Sequence, residues 1–218
     1  MKVKTSQQLF AYWNELRGGR LAPRRFEVEP SAIAAILPDT FILEREDRHD
    51  YMFRLAGTRI CEYFGREFRG RNLLDLWTAE EREVVIRVLE SVTRDGGVGV
   101  IGFMANSSGS GAAAYEMLLL PLVHTGQTIS RVLGSIAPLS PSAHYTQDPI
   151  GSIELEAFDV IWPDGRPHAL LARATTPSPF LRDTGTSRVV RSERRSFRVY
   201  DGGRKDETLP DFRPLGSK

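Results

Sequence analysis

The side chains that could carry chemistry are few and far apart in this sequence. Cys61 is the only cysteine, and the four histidines are widely separated, at His49, His124, His144 and His168. No two histidines stand three to five residues apart and there is no second cysteine, so we expect neither a metal site nor a disulfide. For Cys61 the interpretation we favour is a small buried hydrophobic residue.

Motifs of nucleophilic catalysis and of phosphate binding are also missing. Serines cluster at 107–110 without a Gly-x-Ser-x-Gly elbow. The glycines of 96–102 precede a strand pattern, not the helix start that cradles phosphate. Glu80, Glu81 and Glu83 open a helical pattern, where negative charge suits the positive helix end. We therefore expect that the protein is not an enzyme and needs no cofactor.

Three arginines lie close together in the stretch 65–71, at Arg66, Arg69 and Arg71. One interpretation is a solvated turn in which Arg71 pairs with Asp75. The other is a contact with an anion or a partner, because arginine binds carboxylate and phosphate in a bidentate way.

Charge and proline divide the 218 residues into two parts. Residues 1–162 hold 17 basic and 21 acidic side chains, whereas residues 163–218 hold 12 basic and 7 acidic ones and six of the 13 prolines. The second part has too few apolar residues to offset the entropy of ordering, so we expect a basic, disordered tail. No apolar run reaches the length of about 20 residues that spans a bilayer, and the start lacks the apolar core of a signal peptide. A cytoplasmic protein that does not bind membranes is expected.

Hydrophobic periodicity predicts helices and strands in the first part. Thr78 is a suitable N-cap for the longest predicted helix, and Gly65 is a suitable end for a short one. We predict helices at 6–16, 30–37, 58–64 and 78–94, strands at 40–45, 51–55, 98–105, 114–124 and 131–137, and a further short strand at 155–162.

This order of elements resembles a PAS domain, and residues 53–77 carry the resemblance in detail. A strand there leads into a short helix, then Gly65-Arg66, then the turn Gly70-Arg71-Asn72-Leu73. Residues 5–140 are similar to an alphaproteobacterial branch of the family. The resemblance implies an α+β fold: a five-stranded antiparallel sheet with short helices on one face. The expected domains are a flanking helix and linker at 1–29, the PAS domain at 30–162 and the disordered tail at 163–218.

The resemblance also bears on cofactors. Flavin-binding photoreceptors of the family use a Gly-Arg-Asn-Cys motif, and here Leu73 occupies the place of the reactive cysteine. Haem-binding members need a histidine on a helix that faces the sheet, and no histidine lies in 58–77. We therefore expect a colourless protein without a cofactor.

A PAS domain that binds a ligand holds it between the sheet and the short helices. The pattern of apolar residues predicts that ten side chains line this space, either around a small molecule or as a filled core: Phe53, Leu55, Ile60, Phe64, Leu73, Leu76, Trp77, Phe103, Leu118 and Leu120.

The first helix has an apolar face that includes Leu9, Tyr12, Trp13 and Leu16. Exposed on a monomer, such a face would favour aggregation, so we predict a homodimer with Trp13 near the centre of its interface. The alternative is that the helix folds back onto its own sheet.

The predicted function is a cytoplasmic PAS module, sensory or protein-interacting, that acts in bacterial signal transduction through a partner protein. The alternative is an adaptor with a filled core and no ligand. A weaker alternative concerns the tail, where the spacing of Arg191 and Arg195 resembles the arginine motif of PilZ domains, which bind cyclic di-GMP. Nucleic acid is disfavoured as a partner, because no aromatic stacking platform accompanies the basic residues.

Overall fold

A computed structural model describes residues 1–107, 109, 111–124, 126, 128–140 and 148–165, and the backbone of residues 188–192 and 195–199. The chain divides into two compact units, Met1–Thr175 and Thr176–Lys218. Among the described residues, no helix is long and apolar enough to cross a membrane.

An antiparallel sheet forms the centre of the first unit. Its strands are β1 (Thr40–Arg45), β2 (Tyr51–Ala56), β3 (Val98–Ser107), β4 (Gly111–Val123), β5 (Ile129–Pro138) and β6 (Ile150–Ile161). They lie in the order β2-β1-β5-β4-β3-β6, and every neighbouring pair is antiparallel.

The predicted number of five strands is wrong, because β6 joins the sheet as a sixth. The short strand predicted at 155–162 begins five residues earlier, at Ile150, and pairs with β3 along its whole length. Without β6, β3 would be an edge strand with a row of unpaired N–H and C=O groups. Strand β6 forms hydrogen bonds with these groups of β3.

Three α-helices accompany the sheet: α1 (Lys4–Arg17), α2 (Thr58–Phe64) and α3 (Ala79–Asp95). The predicted capping of α3 is confirmed, since Thr78 and Glu81 form a reciprocal capping box. The helix predicted at 30–37 is only a 3₁₀ turn, Pro30–Ile33. Further 3₁₀ turns are Arg25–Glu27, Leu37–Asp39 and Leu73–Leu76.

Both faces of the sheet are covered. Helices α2 and α3 and the turn Leu73–Leu76 contribute to one buried cluster, on the face that we call the inner face. Helix α1 contributes Leu9 and Trp13 to a second cluster, on the outer face. Strands β1, β3, β4 and β5 therefore have buried residues on both sides, whereas most of β6 is exposed.

The second unit contains a two-stranded antiparallel hairpin of β7 (Arg188–Ser192) and β8 (Arg195–Val199). This hairpin is regular structure that the basic, proline-rich composition did not predict. The rest of the predicted disordered tail beyond residue 165 lies outside the described residues. In the register of the hairpin, Arg191 lies opposite Ser196 and Arg195 opposite Ser192. The side chains are not described, so cyclic di-GMP binding by these arginines stays a prediction.

Candidate functional site between the sheet and the helices

Most of the predicted lining residues meet between the inner face and the helices. Six of them are buried in one cluster: Phe53, Ile60, Phe64, Leu73, Trp77 and Phe103. Leu76 packs against this cluster with part of its surface exposed. Strands β2 and β3 provide the floor, and α2 and the turn Leu73–Leu76 provide the cover.

Leu118 and Leu120 do not belong to this site, and their prediction was wrong. Both are buried on the outer face, in the cluster that contains Trp13 of α1. Successive side chains of a strand point to opposite faces. The residues of β4 that enter the inner core are therefore the odd-numbered ones, Tyr115, Met117 and Leu119.

Leu55 was also predicted to line the site, but 42% of its surface is exposed. The cause is a shift in register between β1 and β2. Leu43 pairs with Phe53 and Ile42 with Leu55, so Arg54 is an extra residue in β2. Such a bulge breaks the alternation of the strand, which places Phe53 inside and leaves Leu55 at the surface.

One string of aromatic rings lies in the inner core. The ring of Phe53 contacts those of Phe41 and Phe68, with centroids 5.5 and 4.9 Å apart, and Phe68 contacts Phe64 at 5.1 Å. Rings at these distances are in contact, and tilted or edge-on arrangements are the favourable ones. Rings at these distances leave no space for another molecule between them.

A second string of rings lies in the same core. Trp77 meets Phe103 edge-on with centroids 5.8 Å apart, Phe103 stacks on Tyr115 at 5.6 Å, and Tyr115 meets Tyr63 edge-on at 5.4 Å. The string runs from the turn before α3, across β3 and β4, to α2. The protein's own side chains therefore occupy the space for which the sequence predicted either a small molecule or a filled core.

Sequence reasoning missed four of these rings, Phe41, Tyr63, Phe68 and Tyr115. Tyr63 follows Ile60 by three residues, which places both on one face of α2. Tyr115 lies directly opposite Phe103 in the β3–β4 register. The helical spacing and the hairpin around 107–111 were signals that could have identified Tyr63 and Tyr115. Phe68 lies in an irregular loop and gave no periodic signal.

Some polar groups of this core have a hydrogen-bond or ion-pair partner and others do not. Burial raises the pKa of the Tyr63 and Tyr115 hydroxyls, and the nearby carboxylate of Asp39 adds to the shift at Tyr63. The carboxylate of Asp39 is itself buried and pairs with Arg59. The indole Nε1–H of Trp77 is buried and has no acceptor among the described residues.

Asn72, in the Gly-Arg-Asn turn, has a structural role. Its Nδ2 donates to the carbonyl of His49 at 2.7 Å and to Asp50 Oδ1 at 3.0 Å. Its Oδ1 accepts from the backbone N–H groups of Tyr51 and Leu74 at 3.2 and 3.1 Å. The amide thus joins the β1–β2 hairpin to the turn at 73–76. Both donors and the usual two acceptor positions are occupied, which leaves nothing for a ligand.

Two residues decide whether this fold carries a reactive thiol: Leu73, at the place of the photoreceptor cysteine, and Cys61. Leu73 is fully buried in the inner core. Cys61 on α2 is partly buried, and its Sγ lies 3.7 Å from Oε2 of Glu67. Burial raises the pKa of the Cys61 thiol, and the carboxylate of Glu67 acts in the same direction. A raised pKa disfavours the thiolate that nucleophilic chemistry requires.

The arginine loop that follows α2 is exposed. Arg66 lies over the rings of Phe64 and Phe68, at 5.8 and 5.2 Å from their centroids. The suggested pair of Arg71 with Asp75 was wrong, because Arg71 Nε donates to the carbonyl of Glu67 at 2.9 Å. Asp75 lies 3.8 Å from Arg82 instead.

On the outer face, the beginning of α1 is held by a carboxylate from the sheet. The N-cap residue of α1, Val3, makes no side-chain capping bond. Glu116 of β4 acts like the glutamate of a capping box, since it accepts from the backbone N–H groups of Lys2 at 2.7 Å and of the N-cap residue Val3 at 3.2 Å. Glu116 is only 3% exposed. The sheet thus supplies the negative charge that a helix start favours.

The middle and the end of α1 are held as well. Trp13 Nε1 donates to the carbonyl of Pro121 at 2.8 Å. Arg17 forms a bidentate pair with Asp164, with distances of 2.8 and 3.1 Å. Its guanidinium also lies 5.5 Å from the centre of the Trp13 ring.

These contacts bear on the predicted dimer. Leu9 and Trp13 are fully buried against the sheet of their own chain, and Tyr12 and Leu16 are partly buried. Helix α1 therefore folds back onto its own sheet, which was the alternative. A homodimer stays a prediction, but Trp13 cannot lie at the centre of its interface while α1 occupies this position.

Comparison with known proteins agrees with this geometry. A family model described as a PAS domain matches residues 1–137, which is more than half of the chain and includes α1. The chain belongs to the PAS domain family. The match ends within β5, so β6 of this PAS protein lies beyond it. No curated protein matches the sequence.

Solved structures give a more distant likeness. One is a light-oxygen-voltage domain from a study of its mechanism with a flavin analogue. It is 17% identical, with a TM-score of 0.40, and the match covers 52% of this chain and 86% of that one. Another is an RNA-binding light-oxygen-voltage receptor, 15% identical with a TM-score of 0.40, covering 59% of this chain and 37% of that one.

Proposed function

We propose that this PAS domain acts in the cytoplasm as a protein-interaction module of signal transduction, without enzymatic activity and without a ligand in its inner core. The observation that carries the proposal is the pair of aromatic strings that fills the space between sheet and helices. Because the domain's own side chains occupy the core, its surface is the part that can bind another molecule.

The occupied amide of Asn72 and the buried Leu73 support the same proposal. In this chain the Gly-Arg-Asn turn joins two structural elements, which accounts for the motif without a cofactor. A module of this kind acts through another protein, which agrees with the role predicted from the sequence.

One observation favours a second candidate, a sensor of a small molecule. The indole Nε1–H of Trp77 is buried without an acceptor, and a buried unsatisfied donor costs about 1–3 kcal/mol. A ligand atom that accepts this hydrogen bond would remove the cost. Such a ligand would be small, because it has to fit beside rings that are already in contact.

Native mass spectrometry of the purified full chain, with an absorption spectrum, separates the two candidates. The interaction module predicts the mass of the polypeptide alone and no visible absorption band. The sensor predicts an added mass that is lost in Trp77→Phe, which keeps a ring but removes the indole N–H. Trp162→Phe is the matched control, since Trp162 is not part of the inner cluster. A stoichiometric added mass in the wild type would contradict the filled core.

A further inference from the structure

Strand β6 presents a long edge of the sheet. It is 12 residues long and lies last in the strand order, so β3 pairs with one side and no described strand pairs with the other. One of its N–H groups, that of Leu155, already donates to Oε1 of Glu81 at 2.7 Å. In an antiparallel ladder the residues alternate, and every second one directs its N–H and C=O away from the partner. Such an edge is a template for another extended chain.

The side chains of β6 select the kind of strand that can pair there. Glu154, Glu156 and Asp159 are exposed, and β6 contains no basic residue. Like charges that face each other across two strands are destabilising, whereas opposite charges are favourable. A second copy of β6 is therefore repelled, and an extended segment with lysines or arginines is attracted.

An apolar groove crosses β6, β3 and β4 beside the start of α1, and Lys2 is part of its lining. It has a volume of about 220 Å³, and its apolar lining includes Val100, Ala157 and Phe158. Phe158 is 54% exposed, which is a large exposed fraction for an aromatic side chain. Glu156 and Asp159 line the same groove. One large apolar side chain of an incoming strand fits this space, next to the carboxylates that would bind its basic neighbours.

We propose that β6 is the docking edge of this PAS protein, and that its partner adds an extended segment in which basic and apolar residues alternate. Backbone hydrogen bonds along β6 supply affinity, as in other cases of strand addition, and the carboxylates and the groove supply specificity. The inference rests on the proposed function, because it names the surface through which the interaction module would act.

The probe for this proposal is a fluorescently labelled 12-residue peptide of alternating lysine and valine, with binding to the full chain measured by anisotropy. A second peptide of the same sequence carries N-methyl groups on alternate residues, which removes the N–H groups of one edge without changing charge. We expect the first peptide to bind and to slow hydrogen exchange in β6, and the second to bind at least tenfold more weakly. Equal binding of both peptides, or no binding of the first, would overturn the proposal.

Charge-reversed variants test the role of the carboxylates. The variant Glu154→Lys, Glu156→Lys, Asp159→Lys is expected to bind the first peptide at least tenfold more weakly. The matched control, Glu15→Lys, Glu62→Lys, Glu83→Lys, changes the net charge equally at exposed positions away from β6. Equal loss in the two variants would show attraction by net charge alone and contradict the proposal. Peptide binding and native mass are separate measurements, so a failure at β6 is distinguishable from a ligand in the core.

Discussion

The inner face of the sheet is covered by helices from one continuous stretch, residues 58–95, whereas the outer face is covered largely by the single helix α1. The inner cluster combines aromatic rings, such as those of Phe53 and Phe103, with the aliphatic face of α3. Outer contacts combine a smaller apolar cluster with hydrogen bonds at both ends of α1. The two faces of one sheet are thus closed by different interactions.

Unsatisfied polar groups occur on both faces, since the buried indole Nε1–H of Trp77 in the inner core has no acceptor among the described residues. On the outer side, the hydroxyls of Ser6 on α1 and Ser135 on β5 are buried without a partner among the described residues. A buried polar group without a partner costs about 1–3 kcal/mol. The outer cluster has fewer buried residues than the inner one, so we expect the outer layer to open at lower free energy.

The largest expected effect is at Trp13, which is the centre of the outer layer. Trp13→Ala removes a fully buried ring and its hydrogen bond to Pro121, so we expect the free energy of unfolding to fall by about 3–5 kcal/mol. Urea denaturation measures the change, with the exposed Gln8→Ala on the same helix as control. A loss below about 1 kcal/mol, accompanied by a change from dimer to monomer in light scattering, would restore the dimer interface that the sequence suggested.

Adjacent leucines of β4 compare the two faces directly. Leu118→Ala removes a side chain from the outer cluster and Leu119→Ala from the inner one, and each should lower the free energy of unfolding by about 3 kcal/mol. The location of the effect should differ. Hydrogen exchange is expected to rise in α1 for Leu118→Ala with α3 unchanged, and in α3 for Leu119→Ala. The same exchange pattern in both variants would show that the layers open together.

The local elements were predictable because their signals lie within a few residues. Residues close by in the chain determine the caps at Thr78 and Glu81, the left-handed conformation of Gly65 and strands β1–β5. The family resemblance rested on residues 53–77, which form most of the cover of the inner core. These parts of the fold and six of the ten proposed lining residues follow from local pattern.

The side on which β4 buries each residue was not predictable in this way. Residues 117–120 are all apolar, because helices cover both faces of the sheet and both sets of side chains are buried. A continuous apolar run has no alternation, so it cannot show that Leu118 faces α1. The apolar stripe of α1 is ambiguous in the same sense, because it fits the chain's own sheet and a second copy equally well. Only the three-dimensional contacts of Trp13 and Glu116 distinguish them.

A smaller effect is expected at Asn72, which belongs to the inner layer. Asn72→Ala leaves the N–H groups of Tyr51 and Leu74 without their acceptor, so we expect a loss of about 2–3 kcal/mol in thermal or urea unfolding. Asn72→Asp keeps the acceptor but loses both donations to the hairpin, and it should lie between the wild type and Asn72→Ala. A stable Asn72→Ala variant with an altered bound mass would instead assign Asn72 to a ligand.

The smallest expected effect on stability is at Glu81, which holds the start of α3 as Glu116 holds the start of α1. Helix α1 takes its cap from Glu116 in the sheet, whereas α3 carries its own, since Glu81 accepts from Thr78 at 3.1 Å. The other oxygen of Glu81 accepts from the N–H of Leu155 in β6 at 2.7 Å. Burial acts to raise the pKa of Glu81, but these hydrogen bonds outweigh it, so the pKa lies below its usual value.

The sign of the pH dependence follows from that lowered pKa. The stabilisation from Glu81 is fully present above the ordinary glutamate pKa and declines as the pH falls through the lower value in the folded state. Glu81→Gln should therefore lower the free energy of unfolding by about 1 kcal/mol near neutral pH, and the difference from the wild type should shrink toward about pH 3. Glu80→Gln, exposed on the same turn, is the control and should change little. A difference between Glu81→Gln and the wild type that stays constant down to that pH would mean that the carboxylate charge contributes nothing at this junction of α3 and β6.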